Sequence, residues 1–376
     1  MKVAFLTDFA YWEGRIGSSV RVESLCRSLT KVCDLTVISS LTLPNRYHQQ
    51  LDDAPYNFYD RTTIKDIIRW EQMPNLAGVQ PDRQVTVKGI QMILLSERFD
   101  AVITPYFNRD WMIAHLPPHI VNIVDTIDCQ SQRARSFAAH KLVPKFLVTP
   151  EDEGAMLDKY DIAIALSAED QAEFFNLSKT PIVTAPFRLP PKLGYTAGED
   201  ANRLLFIAAQ SDVNRMTLDF LMAEILPLVP KNVVLNIVGN VTVPPTTSPN
   251  VKVVRHENVD DLSKIYASVD LSLNPTFAGG GIKTKTLEAI AHGVPVVTSD
   301  EGARGLFDIL PAYLIANDKE TFAHRISELL DDPVKRLQIS REMRLNLTQE
   351  DSENWLDPFM RILTMKRQQK QEQFNL

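Results

Sequence analysis

Residues 274–299 read NPTFAGGGIKTKTLEAIAHGVPVVTS, and this stretch decides the fold of the second half of the chain. Three consecutive glycines, Gly279 to Gly281, lead into a segment with helical periodicity that ends at Gly293. The apolar run at residues 294–297 follows at once and predicts a buried strand. The order of loop, helix, tight stop and buried strand is typical of a parallel α/β sheet.

The glycine loop is a candidate phosphate site. A loop that feeds a helix leaves backbone N–H groups unbonded, and the helix dipole directs its positive end at the same place. Phosphate is the usual occupant. Glu288 lies about 9 Å along the helix from Ile282, at ~1.5 Å per residue, where it could accept hydrogen bonds from the sugar hydroxyls of a nucleotide. The alternative is a solvated Glu288 paired with Lys285, which contributes only a few tenths of a kcal/mol.

The pattern G-G-G-I-K-x-K-x-L-E-A-I-A-x-G-V-P-V-V resembles the nucleotide-sugar segment of GT-B glycosyltransferases, especially the mostly retaining family 4. The resemblance implies that Glu288 binds the ribose of the donor nucleotide and that the glycine loop touches the diphosphate and the donor sugar. Many family members have a second glutamate, which contacts the donor sugar, at the position that is Gly280 here.

Composition indicates a globular protein of two domains. The chain has 376 residues, of which 44% are apolar and 23% charged. Its net charge of −7 argues against nonspecific nucleic-acid binding. Cys26, Cys33 and Cys129 lack metal-ligand spacing and are predicted to be reduced thiols of a cytoplasmic protein. A strand signal begins at residue 2, which predicts no signal peptide. No apolar run approaches the ~18–20 residues of a membrane span, so any contact with the inner face of a membrane would be peripheral.

Alternating strand and helix signals predict two doubly wound parallel sheets. Apolar strands are predicted at residues 3–6, 35–38, 101–103, 121–124, 162–165, 204–207, 234–238, 251–254 and 271–273. Helices are predicted at residues 20–29, 218–228, 260–267 and 355–374, with helices and loops over 41–88.

The resemblance and this rhythm together predict the α/β GT-B fold, with two Rossmann-like domains facing across a cleft. Residues 1–185 are predicted to form an acceptor-binding domain and residues 201–351 a nucleotide-sugar-binding domain. A proline-rich hinge is expected at 186–200. The C-terminal helix, at 352–376, is expected to return to the N-terminal domain.

Two loops of the first domain carry further candidates. The loop TDFAYWEGRIGSS, at residues 7–19, follows the first strand, and the resemblance implies that it lies near the donor phosphates and the acceptor. Its alternative interpretation is a flexible loop with exposed aromatic residues. The stretch VDTIDCQSQR, at 124–133, places Asp125 and Asp128 at a strand end. An inverting transferase needs such a carboxylate as a base, whereas a retaining one can use the leaving diphosphate. In the alternative, Asp128 caps the next helix and pairs with Arg133.

Basic residues are expected near the diphosphate because negative charge builds on it as the glycosidic bond breaks. The donor-binding residues are predicted to be Gly17, Ser18, Arg215, Gly239, Gly279, Gly280, Gly281, Ile282, Lys283, Lys285 and Glu288. The predicted catalytic residues are Asp125, Asp128 and Lys283, and the predicted acceptor-binding residues are Asp8, Trp12, Arg15 and Arg133. No metal site and no cofactor is predicted, since the helix dipole and basic side chains can take the place of a metal.

The sequence therefore predicts a glycosyltransferase that moves a sugar from a nucleotide-diphosphate sugar to a hydroxyl of a glycan, lipid-linked or protein acceptor. Bacterial surface polysaccharide or glycoconjugate synthesis is the expected context, without a nucleic-acid partner. Two alternatives stay open: a nucleotide-sugar epimerase or phosphorylase of the same fold, and a catalytically silent member that binds a glycan or a partner protein.

Overall fold

The computed structural model describes residues 1–14, 17–67, 76–144, 146–192, 194–245, 248–257, 259, 261–349 and 353–374, with the backbone alone at Asn108. The chain divides into two compact units. The first comprises Met1–Cys129, Val148–Phe187 and Ser352–Leu376, and the second comprises Gln130–Leu147 and Arg188–Asp351. Residues 130–147 thus group with the second unit, although the sequence analysis placed them in the N-terminal domain.

The strands form one sheet in each unit. They are β1 (Lys2–Thr7), β2 (Asp34–Ser39), β3 (Asn57–Tyr59), β4 (Ala101–Pro105), β5 (Val121–Asp125), β6 (Ile162–Ala165), β7 (Ile182–Thr184), β8 (Arg203–Ile207), β9 (Val233–Val238), β10 (Val251–His256), β11 (Leu271–Asn274) and β12 (Val296–Thr298). The first sheet has the order β3-β2-β1-β4-β5-β6-β7 and the second the order β10-β9-β8-β11-β12. All neighbouring strands are parallel.

The α-helices surround these sheets. They are α1 (Gly17–Leu29), α2 (His48–Asp52), α3 (Arg61–Ile67), α4 (Pro81–Ser96), α5 (Gln130–Ala139), α6 (Pro150–Leu157), α7 (Ala168–Phe175), α8 (Asp212–Phe220), α9 (Leu262–Tyr266), α10 (Thr284–Ala291), α11 (Asp300–Ala303), α12 (Lys319–Asp331), α13 (Pro333–Gln349) and α14 (Leu356–Phe374). None of the described helices combines the length and the apolar character needed to cross a membrane.

The predicted strands are confirmed, and the two doubly wound sheets have the expected parallel arrangement. β3 and β7 were not predicted, because three-residue edge strands leave little periodic signal. α8 begins earlier than predicted, at Asp212, because the Ser211 hydroxyl accepts the N–H of Asn214 and caps the helix. It continues through a π-helical turn at Leu221–Ile225. Residue 260, the predicted start of α9, lies outside the described residues.

The C-terminal helix α14 belongs to the first unit. Its apolar face contributes Phe359 and Leu363, both fully buried, to the same core as Val3 and Leu25. Two ion pairs fix the other end of the helix: Arg367 Nε lies 2.7 Å from Asp100 Oδ1, and Lys370 Nζ lies 2.8 Å from Asp161 Oδ2. Apolar burial of about 1.5–3 kcal/mol per large side chain anchors the helix.

Hydrogen bonds from α13 hold the segment that follows the proline-rich connection within the second unit. Arg336 of α13 is fully buried. Its guanidinium donates to the Tyr195 hydroxyl (3.1 Å), to the Leu330 carbonyl (3.0 Å) and to the Gly198 carbonyl. These bonds give the buried guanidinium its hydrogen-bond partners and hold residues 195–198 against α13.

Candidate functional site

A buried polar network shapes the loop between β11 and α10. Asn274 Nδ2 donates to Thr286 Oγ1 (2.8 Å), and Thr286 Oγ1 donates to the Gly302 carbonyl (2.9 Å). Thr298 Oγ1 donates to the Asn274 carbonyl (2.9 Å). The side chains of Asn274, Thr286 and Thr298 are buried. The side chains of Asn274, Thr286 and Thr298 therefore hold the loop in place and do not face a ligand.

Because Gly279 has no side chain, the glycine loop leaves room for the side chain of Lys283. A Cβ on Gly279 would lie 2.8 Å from Lys283 Cε and 2.9 Å from its Nζ. Lys283 Nζ bends back over the loop and donates to Glu301 Oε1 (2.6 Å) and to the Gly281 carbonyl (3.2 Å). Gly281 has a φ of +58°, which favours glycine. The Gly279 N–H donates to Ser136 Oγ of α5 (3.1 Å).

Gly280 is packed against α5. A Cβ at this position would lie 2.8 Å from the Cβ of Arg133 and 3.2 Å from its Nε. A side chain at 280 would therefore have to displace Arg133 or the helix that carries it. The glycine that departs from the family pattern thus brings Arg133 next to the loop.

Three cationic side chains line one cavity of the second unit. Arg133, Lys283 and Lys285 share with the glycine loop and the start of α8 a cavity of about 460 Å³. Lys285 Nζ donates to Asn214 Oδ1 (3.0 Å) and lies 5.2 Å from the centre of the Phe206 ring. The arrangement offers positive charge and backbone N–H groups on one side of a space large enough for a small ligand.

Burial makes the charges of the two lysines costly. Desolvation lowers the pKa of Lys285 to about 8, and the charge of Lys283 acts in the same direction. Desolvation also lowers the pKa of Lys283; Arg133 adds to the effect, whereas Glu301 opposes it. An anion in this cavity would relieve the repulsion among the cations and restore both pKa values.

Glu288 lies farther along α10 and faces a different set of groups. The Tyr266 hydroxyl donates to Glu288 Oε2 at 3.5 Å, and the Tyr266 ring stacks on His292 with centroids 4.3 Å apart. Burial raises the pKa of Glu288 to about 7, although Lys192 and Lys285 act against this rise. Lys285 bonds Asn214 instead, so the solvated pair with Glu288 is not the arrangement observed.

The structure does not bring Arg215 or His256 to the cavity. Arg215 pairs with Asp219 of its own helix at 3.4 Å and is nearly half exposed, whereas its neighbour Asn214 lines the cavity. The ring of His256 bonds Asn236 (2.9 Å). Gly239 has a φ of +108°, and a Cβ there would lie 2.3 Å from the Ala208 carbonyl, so close approach of two strands already requires this glycine.

In the first unit, Asp125 forms a closed ion pair. Arg21 Nη2 donates to Asp125 Oδ1 (3.0 Å), Arg21 Nε donates to Oδ2 (3.4 Å), and Nη1 donates to the Ala185 carbonyl (2.8 Å). Arg21 is 2% exposed and Asp125 0%. This geometry is that of a structural pair: both carboxylate oxygens accept from Arg21 and the side chain is fully buried, so the structure does not support the predicted role of Asp125 as a base.

The turn after β5 holds Asp128 under backbone strain. Asp128 is 1% exposed, and its N–H donates to the Thr126 carbonyl (2.7 Å). Ile127 between them has a φ of +63°, a conformation that costs a β-branched residue on the order of 1–3 kcal/mol. Such strain at a strand end marks a candidate functional turn; the sequence indicated this stretch but not its strained backbone.

The remaining first-unit candidates lie around β1 and α1. Gly17 and Ser18 occupy the first turn of α1, where unpaired N–H groups are expected. Trp12 is buried and packs edge-on against Phe58, at 5.8 Å between ring centres, and is not the exposed aromatic of the alternative interpretation. Asp8 pairs with Arg109. Arg15 lies outside the described residues.

Within the described part of the chain, no three His, Cys, Asp or Glu side chains gather as ligands of a metal ion. Cys26, Cys33 and Cys129 form no disulfide bond with one another. The sequence did not identify Glu301, Ser136 and Asn214 as site residues. Each of them bonds the glycine loop or one of its two lysines from another segment of the chain.

Comparison with known proteins finds a family match in the second unit. Residues 201–332 match the family model described as Glycosyl transferases group 1. No curated protein sequence matches the chain.

Solved structures share the fold over nearly the whole chain. A TarM variant from S. aureus, in complex with Fondaparinux, alpha-GlcNAc-glycerol and UDP, is 11% identical with a TM-score of 0.71, over 96% of this chain and 99% of that one. Sucrose-phosphate synthase from Thermosynechococcus elongatus is 15% identical with a TM-score of 0.63, over 100% and 99%. HepE from Anabaena, with UDP and glucose, is 13% identical with a TM-score of 0.63, over 100% and 99%. Residues 201–332 thus resemble group 1 glycosyl transferases, and the predicted GT-B fold of two Rossmann-like units is confirmed.

Proposed function

We propose that the protein transfers a glycosyl group from a nucleotide-diphosphate sugar, whose diphosphate lies in the cavity lined by Arg133, Lys283 and Lys285. The observation that carries the proposal is the gathering of three cations beside a glycine loop at the start of α10. Burial lowers the pKa of both lysines, and a diphosphate would add to the counter-charge that Glu301 supplies to Lys283.

The same groups would serve the chemical step. The bond between the anomeric carbon and the diphosphate oxygen breaks while the acceptor oxygen forms the new bond, and negative charge grows on the leaving diphosphate. Cations and the dipole of α10 stabilise that charge. In a retaining reaction the acceptor proton passes to the leaving diphosphate. Asp125, one of the two predicted bases, is enclosed by Arg21 and is poorly placed to act as a base, which is compatible with retention.

Arg133 is reassigned from the acceptor to the donor. It was predicted to bind the acceptor, but its side chain lies against Gly280 and lines the cavity that holds the two lysines. It would supply charge that Arg215, paired with Asp219, does not. Glu288 would accept hydrogen bonds from the ribose, and the first unit, with Asp8, would bind the acceptor.

The comparisons suggest which donor and acceptor to test first. The TarM and HepE structures contain UDP, so a uridine nucleotide sugar is the first donor. WaaG, a glycosyltransferase involved in lipopolysaccharide biosynthesis, is 15% identical with a TM-score of 0.52. We therefore propose a glycan or lipid-linked acceptor in surface polysaccharide or glycoconjugate synthesis, on the cytoplasmic side. Neither a metal nor a cofactor is part of this proposal.

Calorimetric titration of the full chain tests the donor site. UDP should bind more tightly than UMP, and Arg133→Ala should weaken UDP binding by about 10- to 100-fold, since charge-assisted hydrogen bonds contribute about 1.5–3 kcal/mol. Arg215→Ala is the matched control and should leave the affinity unchanged. Equal UDP affinities in all three proteins would refute the diphosphate site. If wild type does not bind UDP, titrations with GDP, ADP and dTDP would identify another base or none.

A silent, nucleotide-binding member is the second candidate, and one observation favours it. Arg133 fills the space in which a side chain at position 280 would contact the donor sugar. UDP binding without turnover of UDP-sugars in the presence of acceptors would support this candidate. Product formation in the absence of any acceptor would instead support an epimerase.

A further inference from the structure

A second cavity of the second unit, of about 470 Å³, lies at the carboxyl ends of β11 and β12. Its walls include residues 275–277 and 299–301, which follow these strands, and residues 316–318, which precede α12. Aromatic side chains line it as well: His140, Phe220, Phe277 and Phe322. We call it the aromatic cavity. Ligands of parallel α/β sheets bind outside the carboxyl ends of the strands, so its position is that of a binding site.

The rings of the aromatic cavity form an apolar platform. The centre of the Phe277 ring lies 4.8 Å from that of His140 and 6.5 Å from that of Phe220. Phe277 and Phe220 are half-buried and His140 is exposed, whereas Phe322 is 1% exposed. Aromatic rings that line a cavity and keep part of their surface accessible can pack against the apolar face of a ligand.

Polar side chains of the aromatic cavity are held in place by bonds within the protein. Asn317 Nδ2 donates to Asp300 Oδ2 (2.6 Å), and the Asp300 N–H donates to Asn317 Oδ1 (2.8 Å). Glu301 Oε1 accepts from Lys283 Nζ (2.6 Å). Among the described residues, Asp300 Oδ1 and Glu301 Oε2 take part in no hydrogen bond. Each carboxylate is thus oriented by one oxygen and can accept a hydrogen bond from a ligand with the other.

The charges of the aromatic cavity favour an uncharged ligand that donates hydrogen bonds. Asp300, Glu301 and Asp318 would repel an anion. A cation would find two of these charges already compensated, because Lys283 pairs with Glu301 and because Asp318 caps α12. A sugar fits both parts of the cavity, since its hydroxyl groups donate to carboxylates while the C–H face of its ring packs on aromatic side chains.

We infer that the aromatic cavity binds a sugar unit of a glycan chain. Its volume of about 470 Å³ lies within the range of about 300–1,000 Å³ that small-molecule sites occupy. The sequence analysis assigned the acceptor to the first unit, so this is an additional glycan site, on the second unit.

The consequence for catalysis rests on the proposed function. Thr276 lines both the aromatic cavity and the cavity that would hold the donor diphosphate. The ion pair between Lys283 and Glu301 joins the two, because Lys283 lines the diphosphate cavity and Glu301 the aromatic one. A glycan in the aromatic cavity would therefore be an acceptor chain held beside the departing diphosphate. Binding of the glycan itself needs no nucleotide, so the two proposals can fail separately.

Saturation-transfer difference NMR of the full chain tests the site, with the methyl glycosides of glucose, galactose, mannose and N-acetylglucosamine as probes. Wild-type protein should transfer saturation to the ring protons of at least one glycoside. Asp300→Asn should weaken binding of that glycoside by about tenfold or more, because a hydrogen bond to a charged group is lost. Phe220→Ala removes one ring of the platform and should weaken binding by at least about threefold.

The controls separate glycan binding from folding and from donor binding. Phe307→Ala removes another phenylalanine of the second unit, 45% exposed, and should leave glycoside binding unchanged. Asp300→Asn keeps the shape of an exposed side chain and should retain the wild-type melting temperature. Both the Asp300 and the Phe220 variants should retain the wild-type affinity for UDP.

Addition of UDP-glucose distinguishes a glycan from the sugar of the donor. A glycan unit in its own cavity should stay bound when UDP-glucose is added. Displacement of the glycoside by UDP-glucose but not by UDP would assign the cavity to the donor sugar and overturn the inference. Absence of saturation transfer to every glycoside, or wild-type binding by the Asp300 and Phe220 variants, would also overturn it, and both results would leave the diphosphate site untouched.

Discussion

Charged side chains occur at the carboxyl ends of strands in both units, but the two units hold them differently. In the first, Asp125 and Arg21 bond each other twice, and a backbone carbonyl takes a further guanidinium N–H. In the second, burial lowers the pKa of Lys283 and Lys285, and one acidic side chain, Glu301, lies within bonding distance of Lys283.

The difference distinguishes charges that stabilise the fold from charges that can bind a ligand. A buried ion pair whose hydrogen bonds are all satisfied contributes to the fold and offers nothing to a ligand. Buried charges that are only partly compensated destabilise the free protein, and binding of a counter-charge removes this cost. Burial alone does not distinguish the two cases, because Asp125 and Lys283 are both largely withdrawn from solvent.

The largest expected effect is in the first unit. Asp125→Ala leaves the Arg21 guanidinium buried without its partner and should lower the free energy of unfolding by about 3–5 kcal/mol. Urea denaturation measures this loss. Asp8→Ala, which removes a more exposed pair, is the control and should cost much less. A stable Asp125→Ala protein that has lost only activity would show that Asp125 is the base the sequence predicted.

Glu288→Gln should have the opposite effect on stability. The folded-state pKa of about 7 lies above the ordinary 4.5, so the folded state penalises the ionised carboxylate. This penalty is absent below about pH 4.5, grows through pH 7, and reaches up to about 3 kcal/mol above it. The variant should therefore unfold at a higher temperature than wild type at pH 8, with little difference at pH 4.5, while it binds UDP less tightly.

The control for Glu288 is an exposed carboxylate on the same unit. Glu257→Gln changes the same chemical group on the surface and should move neither the melting temperature nor the UDP affinity. A Glu288→Gln protein that is less stable than wild type at pH 8 would mean that the carboxylate supports the fold and is not held for a ligand.

The smallest effect concerns the pH dependence of donor binding. Lys285 has a pKa of about 8 in the free protein, so above this pH it must take up a proton when a diphosphate binds. UDP affinity should fall as pH rises above about 8, by up to about tenfold per unit. Lys285→Arg stays protonated throughout this range and should give a flat profile in the same titration. Parallel slopes for the two proteins would exclude Lys285 from the diphosphate site.

The sequence predicted those parts of the structure that depend on local pattern. Apolar runs located the central strands, and Gly279 to Gly281 located the loop before α10. Local pattern did not identify Arg21 as the partner of Asp125 or Glu301 as the partner of Lys283, because those pairs join segments far apart in the chain. It also assigned α5 to the wrong unit, since nothing near Gln130 indicates that the Ser136 hydroxyl accepts the Gly279 N–H.

The close contact between Gly280 and Arg133 restricts how this protein can change by mutation. A glutamate introduced at position 280 would collide with the arginine, so that substitution is harmful while Arg133 is present. Once residue 133 has become small, the same glutamate can be accommodated. The two positions are therefore epistatic, because residue 133 must become small before a side chain can be accommodated at position 280. Related chains with a side chain at 280 should carry a short residue at 133.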